Sequence, residues 1–337
     1  MKLLSFVTRR LALLCVVVPA VTLVTFTLSR VVPGDPVALM AGPTANETTR
    51  AELRAAWGLG QPLPVQYVTY MGRLLQGDLG TSFRTGRSVA ADFGAFFPAT
   101  IELATFALLS GLPFAIGGGL LAALRQNSVL DYFVRVGITI GVALPVFWLG
   151  ILLILIFSAQ LNVLPALGRL SIDTPIPPNV TGMYVVDSLL AGQFATTVDA
   201  LRHLILPGLC LALTVVVPVG RIVRSSMLNA LNQDYVRTAR AKGLRSRQVV
   251  FTHAFRNALL PIVTAIGLVY SLLLGGAVVT ESVFSWPGIG DYVARSIMSL
   301  DFQPVLSFTL ISALIYVLIN LLVDVLYAAL DPRVHLA

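Results

Sequence analysis

Charge is scarce in this chain. Of its 337 residues only 12% are Asp, Glu, Lys or Arg, whereas 56% are hydrophobic. The mean hydropathy is +0.85, a balance that a water-soluble domain does not tolerate. Lysine is nearly absent: Lys2 and Lys242 are the only two. Neither follows a Gly-x-x-x-x-Gly, so no phosphate-binding loop of the Walker type can form, and the chain cannot hydrolyse nucleotide by itself. The three histidines, His203, His253 and His335, stand far apart. None belongs to a His-Glu-x-x-His pair, which excludes a zinc protease of that class. No Gly-x-Ser-x-Gly elbow and no Ser-x-x-Lys dyad is present. Cys15 and Cys210 both fall inside apolar runs, so neither a disulfide framework nor a metal site is expected, and both read as packing residues.

What the chain does have is long apolar runs. A spanning helix needs about 20 mainly apolar residues, and six candidates meet that need: Leu11 to Ser29, Ala99 to Leu124, Phe133 to Gln160, Leu204 to Gly220, Leu259 to Thr280, and Pro304 to Leu330. Lys2, Arg9 and Arg10 ahead of the first run imitate a secretory signal, but the run is longer than a signal core and ends at no small-x-small site, so it reads as an uncleaved span. The expected fold is an all-α integral membrane protein with six transmembrane helices and a large external loop after helix 1. Residues 1–98 form the first helix plus that loop, and residues 99–337 form a core of five helices. No internal repeat of short period divides it.

Orientation follows from the basic residues, which are retained on the cytoplasmic side. The loop between the fourth and fifth spans, about 221–257, carries Arg221, Arg224, Arg237, Arg240, Lys242, Arg245, Arg247 and Arg256 against the single acid Asp234. Opposite, Glu281, Asp291 and Asp301 face only Arg295. Both termini are therefore expected in the cytoplasm. The first external loop, Arg30 to Pro98, holds several arginines, but a loop of that length translocates regardless of charge. The net charge of +7 is a topology signal, and no nucleic-acid partner is expected.

Within that loop the spacing of Leu53 and Trp57 predicts a short helix over Glu47 to Gly58. A second external segment, Leu161 to His203, is Pro-rich and then helical from Met183 to Leu190. Gly117, Gly118, Gly119, Gly137 and Gly141 lie inside spans and are expected to let helices approach closely. Glu102 and Glu281 sit near the external ends of their spans, where interfacial solvation or the lining of a pathway would account for them. Asn320 and Asp324, near the inner half of the last span, are expected to be interhelical hydrogen-bond partners or interface residues rather than a proton relay, with a place on the pathway as the alternative. Gly288-Ile289-Gly290-Asp291, with Asp324 later, matches the Gly-x-Gly-Asp string of intramembrane aspartyl proteases, which need two carboxylates sharing a proton. Here Asp291 follows the turn-rich Ser285-Trp286-Pro287-Gly288 and lies outside an apolar run, against that chemistry.

The basic loop has structure of its own. From Asp234 to Arg245 the spacing is helical: Tyr235, Thr238, Ala239, Ala241 and Lys242 alternate apolar and basic faces, and Gly243 suits a C-terminal stop. Val249, Val250, Phe251 and Phe255 then form a second amphipathic stretch leading to Asn257 and Pro261. Two readings stay open on these residues alone. The projection docks into a groove on a cytoplasmic partner, or it rests on anionic lipid.

The run Thr238-Ala239-Arg240, Gly243 after it, and His253-Ala254-Phe255-Arg256-Asn257-Ala258-Leu259 resembles the Glu-Ala-Ala-x-x-x-Gly signature of binding-protein-dependent ABC importer permeases. The departures are Thr238 for Glu, Arg240 for the second Ala, and Phe255-Arg256 where many members have Leu-Pro. They are usual in one of the two permease types of the dipeptide and oligopeptide branch. Arg9-Arg10-Leu11, Pro33-Gly34-Asp35-Pro36, Gly77-Asp78-Leu79-Gly80, Pro98-Ala99-Thr100, Arg237 through Leu244, and Phe284-Ser285-Trp286-Pro287-Gly288 are similar, in order and spacing, to the first permease subunit of dipeptide importers. The resemblance implies the type I ABC importer permease fold in a bacterial inner membrane. It also implies a non-catalytic chain whose coupling residues are Asp234, Tyr235, Arg237, Thr238, Ala239, Arg240, Ala241, Lys242, Gly243 and Leu244. The implied partners are a second homologous permease, two cytoplasmic ATPases, an external solute-binding protein and membrane lipid. No cofactor belongs to this chain, since ATP and magnesium would be held by the ATPases. Dipeptides or related small peptides are the implied cargo, with nickel complexes, glutathione, oligopeptides and sugar-linked peptides as alternatives in the same branch. A membrane-embedded enzyme and an ion-driven secondary transporter are the rival classes, and no paired broken helices or inverted repeat support the latter.

Overall fold

The computed structural model describes residues 2–31, 37, 41, 45–56 and 58–330. Pro33-Gly34-Asp35-Pro36, Trp57, His335 and the C-terminal end lie outside them. The described residues contain no strand beyond an isolated bridge between Thr81 and Ser88. The helices in order are α1 Lys2–Val31, α2 Glu47–Ala56, α3 Leu63–Leu75, α4 Val89–Leu124, α5 Val129–Ala143, α6 Val146–Leu153 and α7 Tyr184–Leu190. Then come α8 Phe194–Leu231, α9 Asp234–Ala241, α10 Ser246–Leu274, α11 Val278–Val283, α12 Ile289–Met298 and α13 Phe302–Leu330. Five are long and apolar enough to cross a membrane, and a bent pair makes a sixth crossing if it is one span.

The bent pair is the expected third span, Phe133 to Gln160. It breaks at Leu144–Pro145, and the halves Val129–Gly141 and Val146–Gln160 turn 99° from each other. The cause is local. A proline clashes with helical geometry in the residue before it, and Leu144 is extended at φ −79°, ψ 122°. The second half loosens into a π-helical turn over Ile154–Gln160. The expected fifth span also differs: it begins earlier, at Ser246, and stops at Leu274 rather than Thr280. Gly276, at φ +98°, turns the chain there so closely to Gly290 that a Cβ would lie 3.2 Å from its Cα.

Two helices outgrow their apolar runs. The 36 residues of α4 and the 38 of α8 extend about 54 and 57 Å at 1.5 Å per residue, more than a hydrocarbon core about 30 Å thick. The start of α4 is set by Ser88, whose Oγ accepts from the Ala91 amide at 3.2 Å, a typical N-cap. The pair forms the centre of the bundle. A Cβ on Gly119 would sit 2.6 Å from the Gly220 carbonyl, and one on Gly111 3.0 Å from that of Ala212. Of the five glycines expected to pack helices, Gly119 and Gly141 do so, while Gly117, Gly118 and Gly137 have nothing within 4 Å.

The expected helix in the first loop is present as α2, with Asn46 Oδ1 capping the Thr49 amide at 2.8 Å. The helix α3, which follows Pro62 with proline in its first turn, was not foreseen.

Candidate functional site

The loop between α8 and α10 is a compact helical projection. Asp234 opens α9 and Arg240 closes it, each complementing the helix dipole at its end. The end of α9 is a Schellman motif: the Gly243 amide donates to the Arg240 carbonyl at 2.9 Å and the Leu244 amide to the Ala239 carbonyl at 3.3 Å. Gly243 takes φ +76°, the left-handed conformation that glycine adopts without penalty.

One face of α9 anchors it. Val236 and Ala239, three residues apart and so on one side, are buried with Val249, Val250 and Ala254 in the main core. Those last three belong to a π-helical turn, Val249–Phe255, inside the start of α10. Among the expected coupling residues, Ala239 is buried while Asp234, Tyr235, Arg237, Thr238, Arg240, Ala241, Lys242, Gly243 and Leu244 are exposed. The apolar face thus differs from the one expected: Tyr235 and Ala241 point outward, and Val236, not singled out, is the anchor. Phe251 is likewise exposed. Arg237, Arg240, Lys242, Arg245 and Arg247 are exposed against Asp234 alone, giving the knob a positive field. The Asp234–Arg237 pair at 3.2 Å is open to solvent on both sides and holds little.

A second device at this end was invisible in the sequence. Asp131, fully buried, accepts from Arg224 Nε at 2.7 Å and Nη2 at 2.8 Å. The same carboxylate accepts the Asn127 amide at 3.1 Å, and the Asp131 amide donates to Ser128 Oγ at 3.3 Å. This variant of a capping box pins the start of α5 to α8, about two turns before the end of α8 at Leu231.

Glu102 and Glu281 lie at the opposite end, and neither is solvated. Glu102 pairs with Arg169 at 2.6 Å, the side chains being 6% and 5% exposed, and its Oε1 accepts the Val185 amide at 2.7 Å. Arg169 also donates to the Gly182 carbonyl at 2.9 Å and stacks on Tyr184, 3.6 Å from the ring centroid. The pair therefore ties the second external segment to α4. Glu281 is completely buried. Its oxygens accept from Thr100 Oγ1 at 2.7 Å and the Asp291 amide at 2.9 Å. Burial pushes its carboxyl up, and those donors oppose the push. Gly288 and Gly290 make room: a Cβ on either would strike the Glu281 carboxyl at 2.3 or 2.9 Å.

The Gly-x-Gly-Asp string is accounted for by this nest. Asp291 pairs with Arg295 at 2.8 Å and accepts from Ser282. Asp324 lies 22 residues beyond the start of α13 at Phe302, about 33 Å along its axis at helical rise, whereas Asp291 belongs to α12, which precedes that start, so the two carboxylates stand at opposite ends of α13. Asp324 is half-buried one turn from Tyr327, whose hydroxyl donates to the Leu260 carbonyl at 3.0 Å and so joins α13 to α10. Asn320 bonds back to its own helix at Tyr316.

Further carboxylates order the external segments. Asp187 gathers the Val180, Thr181 and Gly182 amides and the Thr181 hydroxyl. Burial raises its pKa, but these donors outweigh it and hold the group below the usual range. Asp92 accepts from Tyr292 and Thr85, and Asp301 from Ser82. Beside the bend at Pro145, a recess of about 330 Å³ is lined by Val146, Leu211, Thr214, Leu273, Val278 and Thr280. It adjoins both breaks, at Leu144–Pro145 and Gly275–Gly276. No group of three or more metal-ligating side chains occurs among the described residues.

Residues 115–336 match the family model described as the binding-protein-dependent transport system inner membrane component. Residues 3–105 match that of the N-terminal part of such membrane components. The chain is 46% identical to the probable D,D-dipeptide transport system permease protein DdpB of Escherichia coli K12, over 95% of this chain and 94% of that one. It is 43% identical to the di/tripeptide transport system permease protein DppB of Pseudomonas aeruginosa, over 99% of both. With the dipeptide transport system permease protein DppB of Alkalihalophilus pseudofirmus it shares 42%, over 98% of this chain and 99% of the other.

Proposed function

The chain belongs to the family of binding-protein-dependent transport system inner membrane components, and from that premise we propose that it is the dipeptide-importing permease half in which α9 acts as the coupling lever. It is a multi-pass inner-membrane permease subunit of an ABC importer for dipeptides. Its role is translocation, without chemistry of its own. The partners are a solute-binding protein outside, two ATPases that bind ATP and magnesium inside, and a second permease. The α9 end then faces the cytoplasm, as do both termini, and residues 99–337 form the core behind a leading unit of residues 1–98.

One observation carries this reading: a short exposed basic helix is joined rigidly, through Val236 and Ala239, to the base of a spanning helix. A membrane-surface helix would need its apolar residues outward. Here Val236 and Ala239 are spent on the protein, and a mainly basic exposed face with Arg237, Arg240 and Lys242 beside Tyr235 is left for a partner. Closure of the ATPases pushes on Arg237, Arg240 and Lys242. The buried face transmits the force to the π-helical turn of α10 and directly to α8, while Asp131 and Arg224 carry α5 along. The helices move around the recess between the two broken segments, and the peptide passes from the binding protein inward.

The test is charge reversal. Arg240→Glu with Lys242→Glu should loosen co-purification of the ATPase subunits and reduce uptake while the chain still inserts. Undiminished co-purification would assign the knob to lipid instead.

A further inference from the structure

A cavity of about 250 Å³ opens where α1 ends, at the end of the bundle opposite α9, lined by Phe26, Arg30, Gln66, Tyr70, Arg73 and Gln303 among others. It holds an unusual set of unmet polar groups. Arg30 Nε, the Tyr70 hydroxyl and Gln66 Oε1 are buried with no hydrogen-bond partner among the described residues. Tyr70 is 9% exposed, and its hydroxyl meets no protein partner among the described residues. Buried polar groups left unmet are destabilising, and a bound molecule would remove that cost.

The chemistry of the lining selects an anion. Two guanidiniums, those of Arg30 and Arg73, and a phenolic donor share the cavity with one acid, Asp78, whose Oδ1 accepts the Gly80 amide at 2.8 Å. Arg30 is steadied over the Phe26 ring, 5.2 Å from its centroid. The amide nitrogen of Gln66 donates to the Gln61 carbonyl at 2.6 Å, which fixes the side chain and leaves its oxygen for a hydroxyl or ammonium group. Convergent guanidiniums of this kind suit a phosphate oxygen.

The surroundings select where that phosphate comes from. α3 lies against the span Leu14–Val31: Tyr67 donates to the Pro19 carbonyl at 3.1 Å and meets Thr22 Oγ1 at 3.1 Å. Tyr67, Met71 and Leu74 pack inward around Phe26, Tyr70 and Leu306. A second stripe, Val65, Val68 and Leu75, is apolar and exposed, and its spacing of three and seven puts it on one face. An exposed apolar stripe beside a basic pocket at the end of a span matches a molecule with acyl chains and an anionic head.

We infer that this pocket is a phospholipid site, with the phosphodiester between Arg30, Arg73 and Tyr70 and the acyl chains along Val65, Val68 and Leu75. The lipid would wedge the first helix and its loop against α13. The inference rests on the membrane reading of α1 and is independent of the lever role of α9.

The full chain, purified with its partner subunits in detergent, is washed and its retained phospholipid quantified by mass spectrometry. Thermal stability is followed on adding back dioleoyl-phosphatidylglycerol or, separately, inorganic phosphate. Wild type should keep one phospholipid per chain and be stabilised by the added lipid. Arg30→Gln with Arg73→Gln should weaken retention about tenfold or more, the effect of losing a hydrogen bond to a charged group. Arg73 is exposed, so Arg73→Gln alone folds and carries the test if the double variant does not. Equal retention in wild type and variants overturns the site. Stabilisation by inorganic phosphate alone, without lipid retention, overturns the lipid assignment in favour of a soluble anion.

Discussion

Replacing Gly243 by valine forces a β-branched side chain into φ +76°, yet nothing lies within 4 Å of where its Cβ would be placed. The perturbation is therefore purely one of backbone conformation. A left-handed conformation costs an ordinary L-residue about 1–2 kcal/mol, and a β-branched residue lies at or beyond the upper end. That cost falls on the Schellman turn joining α9 to α10, since the anchors Val236 and Ala239 are untouched. A shift of about 1–2 kcal/mol changes the ratio of closed to opened turn by a factor of about 5–30, enough to convert a stiff lever into a slack one. The assay is dipeptide uptake and binding-protein-stimulated ATP hydrolysis by the full complex in proteoliposomes, with chain level in the membrane as control. Gly243→Val should retain insertion and lose most coupling, Gly243→Ala should be intermediate, and Gly243→Asn, which tolerates this region, should stay near wild type. Normal uptake by Gly243→Val would refute the lever. An Asn variant as poor as the Val variant would refute the conformational argument, making bulk at a contact the cause.

Other consequences are open to measurement. Breaking the buried Glu102–Arg169 pair with Arg169→Met should lower stability by about 3–5 kcal/mol, because it strands a buried charge. Adding Glu102→Gln should recover much of the loss, and the melting temperature in detergent reads both. Burial raises the Asp301 carboxyl above its ordinary value, against the hydrogen bond from Ser82. A raised carboxyl favours the protonated fold, so its stabilisation is present in full below the ordinary carboxylate value and is lost as pH climbs through the raised one. Asp301→Asn should therefore flatten the acid-side dependence of thermal stability, and an unchanged profile would remove Asp301 as its source.

How much of this was legible beforehand depended on the range of the interaction. The coupling knob lies within one stretch of chain, and its helix, its glycine stop and its exposed basic side chains are all local properties, readable from spacing. Which residues anchor it was not, because both Tyr235 and Val236 can serve an apolar face and the position of the α10 base chooses between them. Glu102 looked like an interfacial carboxylate because Arg169, its partner, lies 67 residues away. Glu281 depends on Thr100, 181 residues away, and that contact explains why glycines occupy 288 and 290. The bend at Pro145 was marked by its proline, but an uninterrupted apolar run masked it, since hydropathy carries no information on direction.

Apolar run length, the placement of basic residues and the order of short motifs determined by themselves that this is a many-helix membrane permease with a basic projection, because a bilayer imposes its demands residue by residue along the chain. The tertiary structure alone decided which carboxylates are buried and paired, where the spans break, and which polar groups at the end of the first helix are left without partners. Those properties arise from contacts between segments far apart in the chain, where the cost of a buried charge or an unmet donor depends on what packing brings beside it.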